Sequence, residues 1–190
     1  MEAFSTEKIY NLMGKRFAFL GLSSFLVVDR IDLLKKEFSS IIVSAQVNIE
    51  FLNESMLNLK DKSKYDAVIS VFDTINYLKS LDELNIAFTN IYNSIKNNGV
   101  FIFDVLNRKM IDSMFSEGIF ADERENMSII WKHSYNENLK LDEIETIFYV
   151  KERDDLFRRI SEKYMKMIFS NNQTLEMAKK VGFHFISKEI

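Results

Sequence analysis

Short apolar runs alternate with stretches of helical spacing along the first two thirds of this chain, and several of the runs stop at an acid. The clearest case is Ala67-Val68-Ile69-Ser70-Val71-Phe72, which ends at Asp73. Val100 to Val105 is apolar almost throughout and carries Asp104 near its end. Between them Leu81, Leu84, Ala87, Phe88, Ile91, Tyr92 and Ile95 recur at helical spacing, which predicts a helix over Ser80–Lys96 with Asn97-Asn98-Gly99 as its C-cap. Strand, helix and strand in this order predict a right-handed parallel crossover, and the nearly unbroken apolar character of the second strand predicts cover on both faces.

Upstream, Ser5 or Thr6 can cap a first helix through about Phe17, with Ile9, Leu12 and Met13 as its apolar stripe. Phe25-Leu26-Val27-Val28 reads as a strand ending at Asp29, and Ile31, Leu33, Leu34, Phe38, Ile41 and Ile42 then fall at helical spacing. Asn48-Ile49-Glu50-Phe51-Leu52 is a further strand, followed by Asn53-Glu54-Ser55. Past a helical piece near Arg108–Phe115 the texture changes to the longer alternating segments Ser128–Tyr135, Leu139–Lys151 and Leu156–Phe169. Polar turns separate them, which predicts an antiparallel meander over about 116–169. A helix over Thr174–Val181 ends at Gly182, and Phe183–Ile186 begins one more strand. The expectation is a single α/β domain over residues 1–190 with three layers and a mainly parallel sheet.

Composition narrows the function classes. Net charge is −3, with 25 basic and 28 acidic residues, so no general attraction to a phosphate backbone is expected and a nucleic-acid partner is disfavoured. Cysteine is absent, which removes disulfides, thiolate catalysis and zinc–thiolate sites and suits a reducing, cytoplasmic setting. No apolar run reaches the roughly 18–20 residues of a membrane helix, and the first residues lack signal-peptide character, so a soluble protein is expected. Proline is absent and the five glycines are scattered, so no linker announces a boundary.

In open parallel sheets ligands sit at the carboxyl ends of the strands. Phe72, Asp73, Asn76 and Tyr77 form the strongest candidate group there, because an acid, an amide and a phenol so close together exceed what packing requires. The plainer alternative makes Asp73 a turn cap and the aromatics core residues. Asp29 is a candidate for accepting bonds from paired hydroxyls, or a helix cap. Asp104 and Asn107 follow the next strand end. Trp131, His133 and Tyr135 share one strand face by their spacing and either cover a substrate or pack the meander on the sheet. His184 reads as a strand-surface residue. Two distant histidines without ligand-spaced carboxylates support no metal site.

The segments Tyr65-Asp66 with Ser70-Val71-Phe72-Asp73-Thr74-Ile75-Asn76-Tyr77-Leu78, and Ile95 through Asn107, resemble the fourth and fifth strands of class I S-adenosylmethionine-dependent methyltransferases of the small-molecule branch. The likeness continues through Trp131 and the meander to Val181-Gly182-Phe183. Weaker likenesses are Ile9-Tyr10-Asn11-Leu12-Met13 to the family's opening helix and Val27-Val28-Asp29 to its second strand. The resemblance implies a Rossmann-like methyltransferase fold with the meander inserted after the fifth strand. It implies S-adenosylmethionine as cofactor and a small-molecule acceptor methylated by direct displacement. It assigns Asp29 to the ribose, Glu54, Ser55 and Met56 to the adenine, and Phe72 and Asp73 to the neighbourhood of the sulfonium. Asn76 and Tyr77 fall in the acceptor pocket, and Asp73, Asn76 and Tyr77 at the reaction end, with Tyr77 or His133 as base.

The chain departs from the family in having no Gly-x-Gly, only Gly21 in Phe19-Leu20-Gly21-Leu22-Ser23-Ser24. Such enzymes use glycines there because only glycine lets backbone amides come so close to the cofactor. The expectation is that the first strand, its loop and the first helix are lost or rebuilt, and that the family's last strand is missing. A rival reading follows, in which a degenerate or truncated methyltransferase-like domain serves as an interaction or regulatory module.

Overall fold

Residues 16–20, 48–52, 55–71, 73–114 and 118–186 are described by the structure, a computed structural model. Four strands form a parallel sheet in the order β2-β1-β3-β4: β1 (Arg16–Leu20), β2 (Asn48–Leu52), β3 (Tyr65–Ser70) and β4 (Ile95–Phe103). In β3 the consecutive residues Ala67 and Val68 are both buried, so both faces of that strand are covered. Helix α1 (Leu81–Ser94) makes the crossover from β3 to β4. Ser80 caps it, its hydroxyl accepting from the Glu83 N–H at 3.1 Å, and Asp82 and Glu83 complement the positive end of the helix dipole. Its buried stripe of Leu84, Ala87, Phe88 and Ile91 packs on the sheet, with the Phe88 ring 5.4 Å from Phe101 and 5.3 Å from Phe103.

The βαβ crossover and the Asn48–Leu52 strand match the sequence reading, but three neighbouring expectations are corrected. The first helix was expected to run through about Phe17, whereas Arg16 already opens β1, which pairs with β2 on one side and β3 on the other. Phe17-Ala18-Phe19-Leu20 is aromatic and apolar, a composition that favours the pleated sheet once two partners flank it. A strand next to β3, expected to be lost or rebuilt, is thus built from Arg16–Leu20, and Gly21 is the next residue in the chain. The expected strand Phe25–Val28, the helix after it, and Asp29, Glu54 and Phe72 lie outside the described residues.

The second correction concerns the end of α1. It stops at Ser94 rather than in Asn97-Asn98-Gly99, and Ile95 is already extended. Ile95 pairs with Tyr65 while Val100 pairs with Ala67, so the intervening residues bulge out of the ladder opposite Asp66. Asn98 takes the left-handed turn of this bulge with φ 62°. Gly99 is demanded by close approach: a Cβ there would meet the Ile95 side chain and lie 2.8 Å from the Asp66 carbonyl oxygen.

The remaining strands form an antiparallel sheet in the order β5-β6-β7-β8, namely β5 (Ile119–Arg124), β6 (Met127–Asn136), β7 (Leu141–Arg153) and β8 (Leu156–Met167), preceded by helix α2 (Arg108–Met114). The meander is present, with β5 as one strand more than the pattern announced. Its inward face follows from register: Trp131, His133 and Tyr135 on β6 lie beside Thr146, Ile144 and Asp142 on β7, which lie beside Glu162, Tyr164 and Lys166 on β8. Helix α3 (Asn171–Val181) packs on α1 and starts at a capping box between Ser170 and Gln173, three residues ahead of the expected start.

The third correction is at Phe183–Ile186, which is irregular rather than a strand. Phe183 turns its ring onto Tyr92 at 5.1 Å and Phe101 at 5.6 Å, so its apolar surface is partly buried by side-chain packing and not by pairing along a sheet.

Gly99→Ala is expected to lower stability by about 1–3 kcal/mol, the usual range for forcing a methyl group into occupied space. Urea unfolding midpoints measure it. Asn98→Gly, which relieves a left-handed residue without adding atoms, serves as the control that should not lose stability.

Candidate functional site at the strand ends

The site is built where β3 leaves the sheet. The Asp104 N–H donates to the Ser70 carbonyl at 3.2 Å, and the Asp73 N–H donates to Asp104 Oδ1 at 2.8 Å, so the chain after β4 holds the chain after β3. Asp73 adopts φ 50° and opens a 3-10 turn over Thr74–Tyr77. Its backbone carbonyl accepts from the Asn76 N–H at 2.9 Å, but its side chain makes no capping bond to the turn. The carboxylate faces the meander instead, where Oδ2 forms an ion pair with Lys166.

Lys166 is a charged residue with only 9% of its side-chain surface exposed, against 29% for Asp73. Its ammonium lies 5.1 Å from the centroid of the Tyr77 ring and 5.6 Å from that of Tyr164, and the two rings stack 5.6 Å apart. A carboxylate and two phenol faces thus surround one cation, an arrangement favoured by charge and by ring quadrupoles. Burial, Tyr164 and the Asp73 carboxylate together hold the Tyr77 hydroxyl far above the ordinary tyrosine range. Tyr77 is therefore a donor near neutral pH and does not fit the role of base.

Asn76 is fully buried and spends its amide on the backbone. Its Nδ2 donates to the carbonyls of Leu106 at 2.9 Å and Met167 at 2.8 Å, while Oδ1 accepts from the Leu106 N–H at 2.7 Å. It ties the loop after β4 and the end of β8 to the 3-10 turn. The expected place in an acceptor pocket is not where the structure puts it.

The adenine candidates separate in the same way. Met56 is buried in the core, and Ser55 is exposed, its hydroxyl accepting from the Leu57 N–H at 3.2 Å. Asn107 caps α2 by accepting from the Met110 N–H at 3.0 Å. His133, by contrast, is held: its Nδ1 lies 2.7 Å from Asp142 Oδ2, with 5% and 0% of the two side chains exposed. Arg108 stacks over the Tyr135 ring at 4.2 Å, and Trp131 packs on Phe120 at 5.3 Å. His184 is exposed beyond α3.

Lys166, Tyr164 and Asp142 were missed as site residues in the sequence. The available signal was their spacing: Glu162, Tyr164 and Lys166 alternate along one strand, and Asp142 alternates with Ile144, Thr146 and Phe148 along the next. Among the described residues no group of three or more His, Asp and Glu is placed to hold a metal ion, and no helix is long and apolar enough to cross a membrane.

No family model matches the chain. A curated candidate methyltransferase of Geobacillus sp. (strain WCH70) is 31% identical over 139 residues, 73% of this chain, and the chain spans 56% of that relative's length. Among solved structures, a S-adenosylmethionine-dependent methyltransferase from Clostridium acetobutylicum superposes with a TM-score of 0.64 at 16% identity, covering 90% of this chain and 74% of that one. CalS10, an amino pentose methyltransferase from Micromonospora echinaspora solved with its cofactor, gives 0.64 at 13% identity over 93% of this chain and 79% of that one.

Two outcomes test this geometry. Asn76→Ala orphans buried backbone groups at about 1–3 kcal/mol each, so a total loss of about 3 kcal/mol or more is expected in the urea midpoint. The second concerns Tyr77, whose folded-state pKa lies above the unfolded value of about 10. The unfolded chain loses this proton first, so its contribution is intact below about pH 10 and declines as pH rises beyond it. Alkaline unfolding followed by circular dichroism should be shallower in Tyr77→Phe than in the parent.

Proposed function

We propose that this chain, which belongs to the class I S-adenosylmethionine-dependent methyltransferases, binds S-adenosylmethionine at the carboxyl ends of β3 and β4 and methylates a small-molecule acceptor by direct displacement. The observation that carries the reading is the cation held between Asp73, Tyr77 and Tyr164. The same surroundings that stabilise the Lys166 ammonium suit any positive centre brought to the rim of the sheet. When bound, S-adenosylmethionine supplies a methyl group on a positively charged sulfur. The part of the Asp73 carboxylate that remains open lets it face a second cation.

Within this reading Asn76 is a positioning residue, because it sets the 3-10 turn against both β8 and the chain after β4. Tyr77 contributes a ring face and a hydroxyl donor. Asp29 remains proposed for the ribose hydroxyls, Glu54 and Ser55 for the adenine, and Phe72 for the sulfonium. The inward face of the meander, with Trp131, His133 and Tyr135, covers the acceptor. That the structural neighbour CalS10 is described as an amino pentose methyltransferase supports an acceptor of small size. The protein's task in such a transfer is to align the two reactants and exclude water, with no covalent enzyme intermediate.

One observation favours the non-catalytic alternative, a binding or regulatory module: Lys166 already neutralises Asp73. Calorimetry separates the two. The active reading expects micromolar binding of S-adenosylmethionine and S-adenosylhomocysteine, and about tenfold weaker binding of the former in Asp73→Ala. Lys166→Met, which leaves Asp73 charged, should shift preference toward the cationic sulfonium over the neutral thioether. Absence of heat with millimolar cofactor overturns the active reading.

A further inference from the structure

We propose that the free edge of β8 is a docking surface for a second copy of this chain: the two β8 strands pair antiparallel about an axis at Ile160 and join two meanders into one continuous sheet. The proposal is independent of the methyl-transfer reading. Among the described residues β8 is an edge strand, with β7 as its one neighbour, and it runs for 12 residues where the opposite edge strand, β5, has 6. Sheets commonly shorten or cover such an edge, because a row of unpaired N–H and C=O groups recruits another strand.

Backbone hydrogen bonding shows which groups of β8 are open. The Ile168 N–H donates to the Lys140 carbonyl at 2.8 Å, and the register runs from there without a break back to Phe157. In an antiparallel pair every second residue is bonded across, so the even-numbered residues of β8 turn their N–H and C=O to β7 and the odd-numbered ones turn theirs away. The Met167 carbonyl agrees with this, since it is open to Asn76 Nδ2, which donates to it at 2.8 Å. Phe157, Arg159, Ser161, Lys163 and Met165 follow on the same edge, and none of them has a backbone bond to another element among the described residues.

Charge selects the occupant and the register. A two-fold axis at Ile160 pairs the open odd-numbered residues with each other, Arg159 with Ser161 of the partner subunit and Phe157 with Lys163 of the partner subunit. In the closer, non-hydrogen-bonded positions it sets Arg158 opposite Glu162 of the partner subunit, twice by symmetry, and Leu156 opposite Tyr164 of the partner subunit. No like charges are opposed. An axis at Arg159 sets that arginine against its own copy, an axis at Ser161 opposes Arg159 and Lys163, and an axis at Glu162 opposes two glutamates. The charges that discourage indiscriminate pairing at this edge therefore admit one self-pairing register.

The groups needed are free to make these contacts. Glu162 has no ion-pair partner among the described residues. Arg158 meets Glu152 at 3.4 Å with both side chains more than half exposed, a pair of little energetic worth that docking can replace. Leu156, Phe157 and Ile160 are 55%, 46% and 37% exposed, and pairing removes part of that apolar surface from water. Nine residues a side, Leu156 to Tyr164, are fewer than the roughly 20–30 of a standard interface, so a reversible dimer is expected. Leu156 of the partner subunit then lies beside Tyr164, whose ring stacks on Tyr77 at the candidate site.

Sedimentation velocity of the full chain over a micromolar to millimolar series should show a monomer–dimer equilibrium. Arg158→Glu and Glu162→Arg each oppose like charges twice and are expected to weaken the dimer by about tenfold or more, while the double variant restores it. Circular dichroism checks that each variant is folded. The chain has no cysteine, so Ile160→Cys introduces a single thiol at a self-opposed position, where Cα atoms about 4.5 Å apart are within disulfide reach. Under mild oxidation it should form a disulfide-linked dimer about tenfold or more faster than Leu139→Cys, an exposed position in the turn between β6 and β7. A chain that stays monomeric at millimolar concentration overturns the proposal. So does a dimer indifferent to the charge reversals, a double variant that fails to regain it, or crosslinking of Ile160→Cys no faster than of Leu139→Cys.

Discussion

The arrangement at the rim depends on the amide of Asn76. Three backbone bonds from one buried side chain join the turn after β3, the chain after β4 and the end of β8. An amide is suited to this because it presents donors and an acceptor in one plane, so it closes bonds to carbonyls and to an N–H together. That fork ties Met167 to Leu106 beside the apolar cluster that Leu106 forms with Ile111 and Ile168. Lys166 is the residue before Met167, and its ion pair with Asp73 lies next to this tie. The two sheets therefore meet through a hydrogen-bonded joint as well as through apolar contact, and the joint lies under the charged cluster.

Charge at the joint is arranged economically. An ammonium as buried as Lys166 would be costly alone, and the Asp73 carboxylate with two tyrosine faces offsets much of its lost hydration. Asp73 stays partly open, while Asp142, on the strand next to Lys166, is closed off entirely. The two carboxylates near Lys166 thus differ in surroundings: Asp73 keeps part of its surface in solvent, and Asp142 is closed off against the imidazole of His133. Separation of roles by environment is how like groups acquire unlike functions within a few ångströms.

The sequence made the crossover legible because two independent signals agreed there. The helical stripe of Leu84, Ala87, Phe88 and Ile91 and the apolar strands around it each predicted the same partner. Arg16–Leu20 was illegible for the opposite reason: a strand of five residues directly after a helix-like stripe has too short a period to declare itself, and only pairing with β2 and β3 decides it. The end of α1 misled because Asn-Asn-Gly signals a left-handed turn without saying whether a helix or a bulge will use it. At the site, Asp73 and Tyr77 were readable from their place at a strand end. Lys166 and Asp142 were not, since a lone lysine or acid in a meander looks like a solvated face until register fixes which way it points.

Asn76 was singled out for a ligand contact, and its side chain is spent on the backbone. Its nearness to Asp73 suggested contact with a ligand, and the same nearness is what a joint requires. The distinction lies in how many of its bonding positions are spent: Asn76 has committed both ends of its amide to backbone, whereas the Asp73 side chain makes no bond to its own turn and projects toward a cation. A polar side chain at a strand end that caps nothing and neighbours a second strand's acid through its own N–H is directed here at the buried ammonium of Lys166. The meander's contribution follows from the same logic. A β strand sends every second side chain to one face, so placing Lys166 against Asp73 also commits Tyr164 and Glu162 on β8, and through register Asp142 and His133, to the inward side. One correctly seated rung thereby presents acid, ammonium, phenol and imidazole together, and a slip of one residue would remove all of them from that face.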